Sequence, residues 1–274
     1  MNPQQIKSKL AEYNITPSKS KGQNFLLDEQ VVEEMASGVQ KNDIILEIGP
    51  GLGVLTKALA LKARKVILVE LDRQIITLLK KEILPKHENV ELIEGDVLSS
   101  RIYHQLKDSL EHKNYKLIAN LPYQITSKAI RQFLDNDPKP SEIIVMVQKE
   151  VAERMTAKPG KTSLLSLAVQ TESEAEIIKN VPAKSFFPSP KVNSAVVKCD
   201  LTRGHVKYQA LNEAEKKKFW QLAKVGFSSR RKQLKNNLKS LLSEEEISKF
   251  FAKANIKANA RAQELSIDQW IALL

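Results

Sequence analysis

The chain has 274 residues, 42% hydrophobic and 27% charged, which suits a large soluble domain with room for a second, smaller one. Its net charge of +11 and pI near 9.5 favour polyanionic partners such as nucleic acid. The single cysteine, Cys199, excludes an intramolecular disulfide, the scattered His87, His104, His112 and His205 form no metal motif, and no apolar run nears the roughly 18 residues of a membrane helix. The N-terminal MNPQQIKSKL lacks the apolar core of a secretory signal, so a cytoplasmic protein is expected.

Pro3 to Tyr13 reads as a short helix, and Thr16 to Gln23 as a polar, basic loop with Pro17, Lys19, Lys21 and Gly22. Asp28 is placed to N-cap a helix with Val31, Val32 and Met35 on one face. Ile44 to Glu47 is an apolar run that ends on a carboxylate. Gly49, Gly51 and Gly53 follow, and Val54, Leu55, Ala58 and Leu59 then recur at helical spacing. This stretch predicts a buried strand, a tight glycine loop and a helix start, with which α/β folds hold nucleotide-like ligands. It departs from the dinucleotide fingerprint, which wants glycine or alanine where this chain has Val54.

Lys65 to Leu71 is a second buried strand, and Asp72 opens a helix with Ile75, Ile76, Leu78 and Leu79. Val90 to Ile93 is a third strand, leading to Gly95-Asp96. Tyr115 to Ala119 is a fourth, ending on Asn120. Ser127 to Leu134 is a helix and Glu142 to Val147 a fifth strand. Repeated β-α units predict a doubly wound, mostly parallel α/β sheet of Rossmann-like type. Glu172 to Val181 and Lys191 to Leu201 read as antiparallel strands added at the sheet edge, and Leu201 to Tyr208 as a linker. Beyond it, Asn212 with Glu215, Ser243 with Glu246 and Ser266 with Gln269 are cap pairs opening helices. Two domains are therefore expected: 1–204, and a small basic all-helical domain, 205–274. From residue 201 onward the chain holds 15 Lys and Arg against 7 Asp and Glu.

Ligands of such sheets sit at the carboxyl ends of the strands. Those ends here carry the glycine loop, Glu70, Asp96 and Asn120. Gly49 and Gly51 let a ligand approach the backbone closely. Glu70, 21 residues after Gly49, can accept from both ribose hydroxyls, and Asp96 from an adenine amine. There is no Walker lysine motif for ATP and no dinucleotide glycine for NAD. An adenosine cofactor without phosphates, S-adenosylmethionine, fits best. Asn120-Leu121-Pro122-Tyr123 suits methylation of an adenine amine, whose lone pair is delocalised into the ring. Acceptors on the Asn120 side chain and the Leu121 carbonyl would favour a pyramidal nitrogen, and Tyr123 offers a stacking face. No strong general base is needed, since the amine can lose its proton after the methyl arrives. In the loop Ser185 to Val192, Phe186 is either a second stacking face or a hydrophobic plug. In FSSRRKQLKNNL, Arg230, Arg231, Lys232 and Lys235 crowd one or two helical turns, as an RNA phosphate contact or a solvated face.

QNFLLD (Gln23 to Asp28), EIGPGLG (Glu47 to Gly53), ELD (Glu70 to Asp72), Gly95-Asp96, NLPY (Asn120 to Tyr123) and FFPSPKVNSAV (Phe186 to Val196) occur in that order. With FSSRRKQLKNNL and RAQELS (Arg261 to Ser266), the set closely resembles the small-subunit ribosomal RNA adenine N6,N6-dimethyltransferases over nearly the whole chain. The resemblance implies a metal-independent, monomeric enzyme that uses S-adenosylmethionine. It would dimethylate two adjacent adenines in a hairpin loop near the 3′ end of the small-subunit RNA, late in subunit assembly. Asn24 and Leu26 would line the cofactor pocket, and Gly49, Glu70, Asp96 and Asn120 would contact the cofactor. Asn120, Leu121, Tyr123 and Phe186 would hold the target base. Phe187 departs from members without a second aromatic there. The related macrolide-resistance methyltransferases act on large-subunit RNA and share several motifs. Pro50, Leu52, Leu121 and the FSSRRKQLKNNL segment favour the small-subunit type. A non-catalytic RNA-binding assembly factor is the alternative of another class, against which the intact Glu70, Asp96 and NLPY set argues.

Overall fold

The computed structural model describes residues 2–18, 22–110 and 114–274; Lys19, Lys21 and His112 lie outside them. In chain order the elements are α1 (Pro3–Glu12), β1 (Phe25–Leu26), α2 (Glu29–Ala36), β2 (Ile44–Ile48), α3 (Val54–Lys62), β3 (Lys65–Glu70), α4 (Arg73–Glu82), β4 (Val90–Glu94), α5 (Ser100–Leu110), β5 (Tyr115–Asn120), α6 (Thr126–Asp135), β6 (Glu142–Gln148) and α7 (Lys149–Met155). There follow α8 (Leu164–Glu172), β7 (Glu174–Val181), β8 (Phe186–Phe187), β9 (Ser194–Asp200), α9 (Val206–Gln209), α10 (Glu213–Gly226), α11 (Leu234–Leu238), α12 (Glu244–Lys253) and α13 (Ile267–Ile271).

Seven strands form one sheet in the order β4-β3-β2-β5-β6-β9-β7. The pairs β2–β3, β2–β5, β3–β4 and β5–β6 are parallel. β2 and β3, IILEI and KVILVE, are apolar on both faces and almost wholly buried, as central parallel strands must be. The order reverses between β2 and β5. That is the switch point at which doubly wound sheets open a crevice beyond their carboxyl ends. β9 and β7 take the edge. The second edge strand begins at Glu174, not Glu172, because α8 runs to Glu172 and ends on a Ser173 cap in extended conformation. Asp28 and Asp72 cap α2 and α4 through bonds to Gln30 N and Gln74 N, as their positions predict. Among the described residues no helix is long and apolar enough to cross a membrane.

The chain packs as two compact units: Met1–Ala152 with Glu176–Cys199, and Glu153–Ala175 with Asp200–Leu274. The first holds the site end of the sheet. The second is helical and differs from the expected 205–274 by including α8, because Leu167 packs into the core of Tyr208, Phe219, Leu222, Trp270 and Leu273. Its capping boxes at Asn212, Ser243 and Ser266 form as the sequence predicts. The expected linker is instead a 3-10 turn at 201–203 followed by α9.

Candidate functional site

In the first unit a cleft of about 290 Å³ opens at the carboxyl ends of β2, β3, β4 and β5. Its wall includes Asn24, Leu26, Gly49, Gly51, Glu70, Asp96, Asn120, Leu121 and Tyr123, so residues far apart in sequence meet there. Gly49, Gly51 and Gly53 all have left-handed backbones, with φ of 65°, 55° and 73°. A Cβ at Gly51 would lie 3.3 Å from the Phe25 ring, so a side chain here is disfavoured by conformation and crowds Phe25. Gly53 caps α3 without a side-chain bond, and Val54 and Leu55 at the helix start line the cleft.

The acids divide into distinct environments. Glu47, at the end of β2, is 2% exposed and accepts from Thr56 Oγ1 at 2.7 Å. Burial raises its pKa to about 8; the Thr56 bond opposes this and the Glu70 charge adds to it. Glu70 Oε1 accepts from Leu71 N and Asp72 N, each at 2.9 Å. Burial raises its pKa too, opposed by these amides, with Asp72 adding and the Gly51 N–H opposing. Asp96 is exposed at the rim and accepts from Leu98 N at 2.9 Å through Oδ1. No lysine, arginine or histidine lines the cleft among the described residues.

The segment 22–26 closes one side of the cleft. Gln23 donates through Nε2 to Asp72 Oδ2 at 3.2 Å, and the Asn24 carbonyl accepts from Asn120 Nδ2 at 3.4 Å. Phe25 faces Gly51, and Leu26 pairs with Phe186 in a two-stranded ladder of β1 and β8. Sequence reasoning had no signal for this packing, because each partner is remote in the chain. The Asn24 bond also turns the Asn120 amide so that its oxygen is the end left for a ligand.

Leu121 N donates to the Met146 carbonyl of β6 at 3.2 Å, and Pro122 lies against Gly49. Tyr123 is half-buried, and its hydroxyl meets Ser194 Oγ at 2.7 Å. Burial raises the phenol's pKa and the Ser194 bond lowers it. Phe186 is 3% exposed and belongs to the hydrophobic core; it is not among the cleft residues. Its neighbour Phe187 is partly exposed beneath the Lys7 ammonium, 5.6 Å from the ring centre.

In the second unit the basic residues occupy a different setting from the one expected. Arg230, Arg231 and Lys232 lie exposed in the turn 227–233 between α10 and α11, and only Lys235 is helical. The turn is forced from both ends. Gly226 closes α10 where a Cβ would stand 2.4 Å from the buried Trp270 ring. The buried Asn237 donates through Nδ2 to the carbonyls of Gly226 at 2.6 Å and Ser229 at 3.2 Å. The three cations thus stand on a braced turn at adjacent positions.

Comparison with known proteins agrees with this geometry. The family described as ribosomal RNA adenine dimethylase matches residues 16–274. The chain is 39% identical over 273 residues to the ribosomal RNA small subunit methyltransferase A of Clostridioides difficile strain 630, covering 97% of this chain and 93% of that protein. It is 41% identical to the protein of the same name from Desulfitobacterium hafniense strain DCB-2, covering 93% and 90%. Among solved structures, the 23S rRNA methyltransferase ErmE superposes with a TM-score of 0.71 at 25% identity, covering 91% of this chain and 98% of that one. A dimethyladenosine transferase from Plasmodium falciparum superposes equally, at 0.71 and 26% identity, covering 91% and 96%.

Proposed function

The chain belongs to the ribosomal RNA adenine dimethylase family, and from that membership we propose that it dimethylates N6 of two adjacent adenines in a hairpin loop near the 3′ end of small-subunit ribosomal RNA. The observation that carries the choice of subunit is identity of 39% to 41%, over nearly full length, to small-subunit methyltransferases, against 25% to the 23S enzyme. The family acts with S-adenosylmethionine, which when bound supplies an electrophilic methyl group. The cleft fits it. Gly49 and Gly51 without Cβ atoms admit close approach, carboxylates suit ribose hydroxyls and a cationic sulfonium, and among the described residues no cation lines the cleft to cradle a phosphate.

Glu70 and Asp96 hold the adenosine, the first at its ribose and the second at its base. Asn24, Leu26, Gly49 and Gly51 shape the wall. Asn120 Oδ1 and the Leu121 carbonyl accept from the two N–H bonds of the target amine and draw its lone pair out of conjugation. The Asn24 carbonyl keeps Asn120 aimed for that task. Tyr123 stacks on the target base. Phe186, buried beside the cleft, would be the second face once a base is bound. Arg230, Arg231, Lys232 and Lys235 bind RNA phosphates. The enzyme acts as a cytoplasmic monomer on assembling small subunits. Purified protein given labelled cofactor and undermethylated small subunits should place two methyls on each of two adenines. Label on large-subunit RNA alone would reject the assignment.

A further inference from the structure

We propose that Ser194 is a positioning residue for Tyr123, whose ring its hydroxyl holds at the angle that meets the target base. The inference rests on the reading of Asn120 to Tyr123 as the base subsite. Ser194 is wholly buried and opens β9, the neighbour of β6 in the sheet. The residue before it is fixed twice. The Asn193 carbonyl accepts from Lys149 N at 3.0 Å, and its side-chain oxygen accepts from Ala183 N at 3.0 Å. The Ser194 hydroxyl is therefore presented by backbone that has little freedom to drift.

Tyr123 has its backbone held in a turn, because Ile125 N and Thr126 Oγ1 both donate to the Pro122 carbonyl at 3.1 Å, and it is the direction of its ring that the turn leaves open. It follows Pro122 in a loop, precedes the exposed Gln124, and has a half-exposed ring. The loop is held at its start, where Leu121 N bonds to β6. The 2.7 Å bond between the Tyr123 hydroxyl and Ser194 Oγ is the one that fixes the ring itself. The phenolic oxygen is the atom farthest from the Tyr123 backbone, so a bond there has the longest lever over ring direction. One bond thus joins the end of β5 to the start of β9. It also ties the base subsite to the proline loop, which Ser189 closes through its bond to the Ala183 carbonyl at 2.8 Å. A stacking face is useful only at a defined angle, since misplacement of a reacting group costs rate more than affinity.

The test is a double-mutant cycle with two readouts. Ser194→Ala, Tyr123→Phe and the double variant are compared with the wild type; Tyr123→Phe removes the same bond while keeping the ring. In single turnover on small subunits with saturating cofactor, each single variant should slow transfer about fivefold, the scale of one lost hydrogen bond. The double variant should be no slower than the slower single, with cofactor affinity unchanged throughout. Independently of RNA, scalar couplings across χ1 of Tyr123 should report one rotamer in the wild type and averaging in Ser194→Ala. A Ser194→Ala loss that persists in the Tyr123→Phe background, wild-type rates in both singles, or an unaltered rotamer in Ser194→Ala would overturn the proposal. A wild type that methylates no small subunit would reject the functional reading instead, and the couplings would still decide the positioning.

Discussion

Glu47 makes a demand on stability that a neutral replacement should relieve. It sits inside the first unit at the end of β2, with the Thr56 hydroxyl as its hydrogen-bond donor. Its pKa is raised from 4.5 to about 8, chiefly by burial. A group whose folded pKa is raised contributes its stability fully below the unfolded value, and that contribution is lost as pH rises through the folded value. At pH 7 the carboxyl is protonated in the folded chain and ionised in the unfolded one, which costs the fold about 3 kcal/mol, and above pH 8 the cost levels off on the order of 5 kcal/mol, at ~1.36 kcal/mol per unit. Glu47→Gln keeps the shape and an acceptor for Thr56 but cannot ionise. Urea denaturation of both proteins without cofactor, at pH 5, 7 and 9, isolates the effect, because groups that do not interact with Glu47 cancel in the difference and the Glu70 charge is the smallest of the influences on its pKa. The variant should gain on the wild type by several kcal/mol between pH 5 and pH 9. A difference that stays constant across that range would refute the reasoning. A cation seated in the cleft favours the ionised form, so cofactor uptake at pH 7 by the wild type should release a proton. Calorimetry in two buffers of different ionisation enthalpy measures it, and Glu47→Gln should reduce the buffer dependence.

Gly51→Ala should destabilise the fold by about 1–2 kcal/mol, the cost of a left-handed backbone with a Cβ, and weaken cofactor binding; an unchanged melting temperature and affinity would contradict it. Asn120→Ala should slow methyl transfer by about 100-fold or more, as for loss of one preorganised polar group at a reacting centre, while RNA affinity stays near wild type. Loss of both would make Asn120 structural. Arg230→Glu combined with Arg231→Glu should weaken RNA binding and reduce its salt slope by about 2, one per phosphate contact; an identical slope would remove the turn 227–233 from the RNA interface.

The sheet was legible because its signals are local. Ile44–Ile48 and Lys65–Glu70 are apolar on both faces, and the polar residues that end β2, β3 and β5 fall where such sheets bind ligands. The side of the cleft formed by 22–26 was not legible. Its bonds run to Asp72 and Asn120, 49 and 96 residues away from Gln23 and Asn24, and nothing in QNF announces either partner. Helix α8 was hidden for another reason. LLSLAVQTE buries six of its nine residues, so its apolar pattern shows no face. α5 did carry a readable stripe in Ile102, Leu106 and Leu110. The basic segment misleads as a helix because RRKQLK lacks glycine and proline. Its turn is imposed from outside, by Trp270 against Gly226 and by Asn237 on two carbonyls.

Charge explains why a base, and not a backbone, can enter the cleft. The chain carries +11 overall, yet Glu47, Glu70, Asp72 and Asp96 line the cleft with no described cation among them. The negative charge that the cleft carries repels phosphate. It favours a sulfonium and tolerates an uncharged adenine. An RNA strand drawn in by the surrounding positive charge therefore meets a mouth closed to its phosphates and open to a single base. Under the proposed function a base must leave its stack to reach Asn120, and Tyr123 would supply the stacking it gives up. Selectivity for an extruded adenine then follows from the sign of the charge as much as from the shape of the pocket. Arg230, Arg231 and Lys232, the cations proposed to bind RNA, lie outside the cleft, in a unit whose described residues contribute nothing to it.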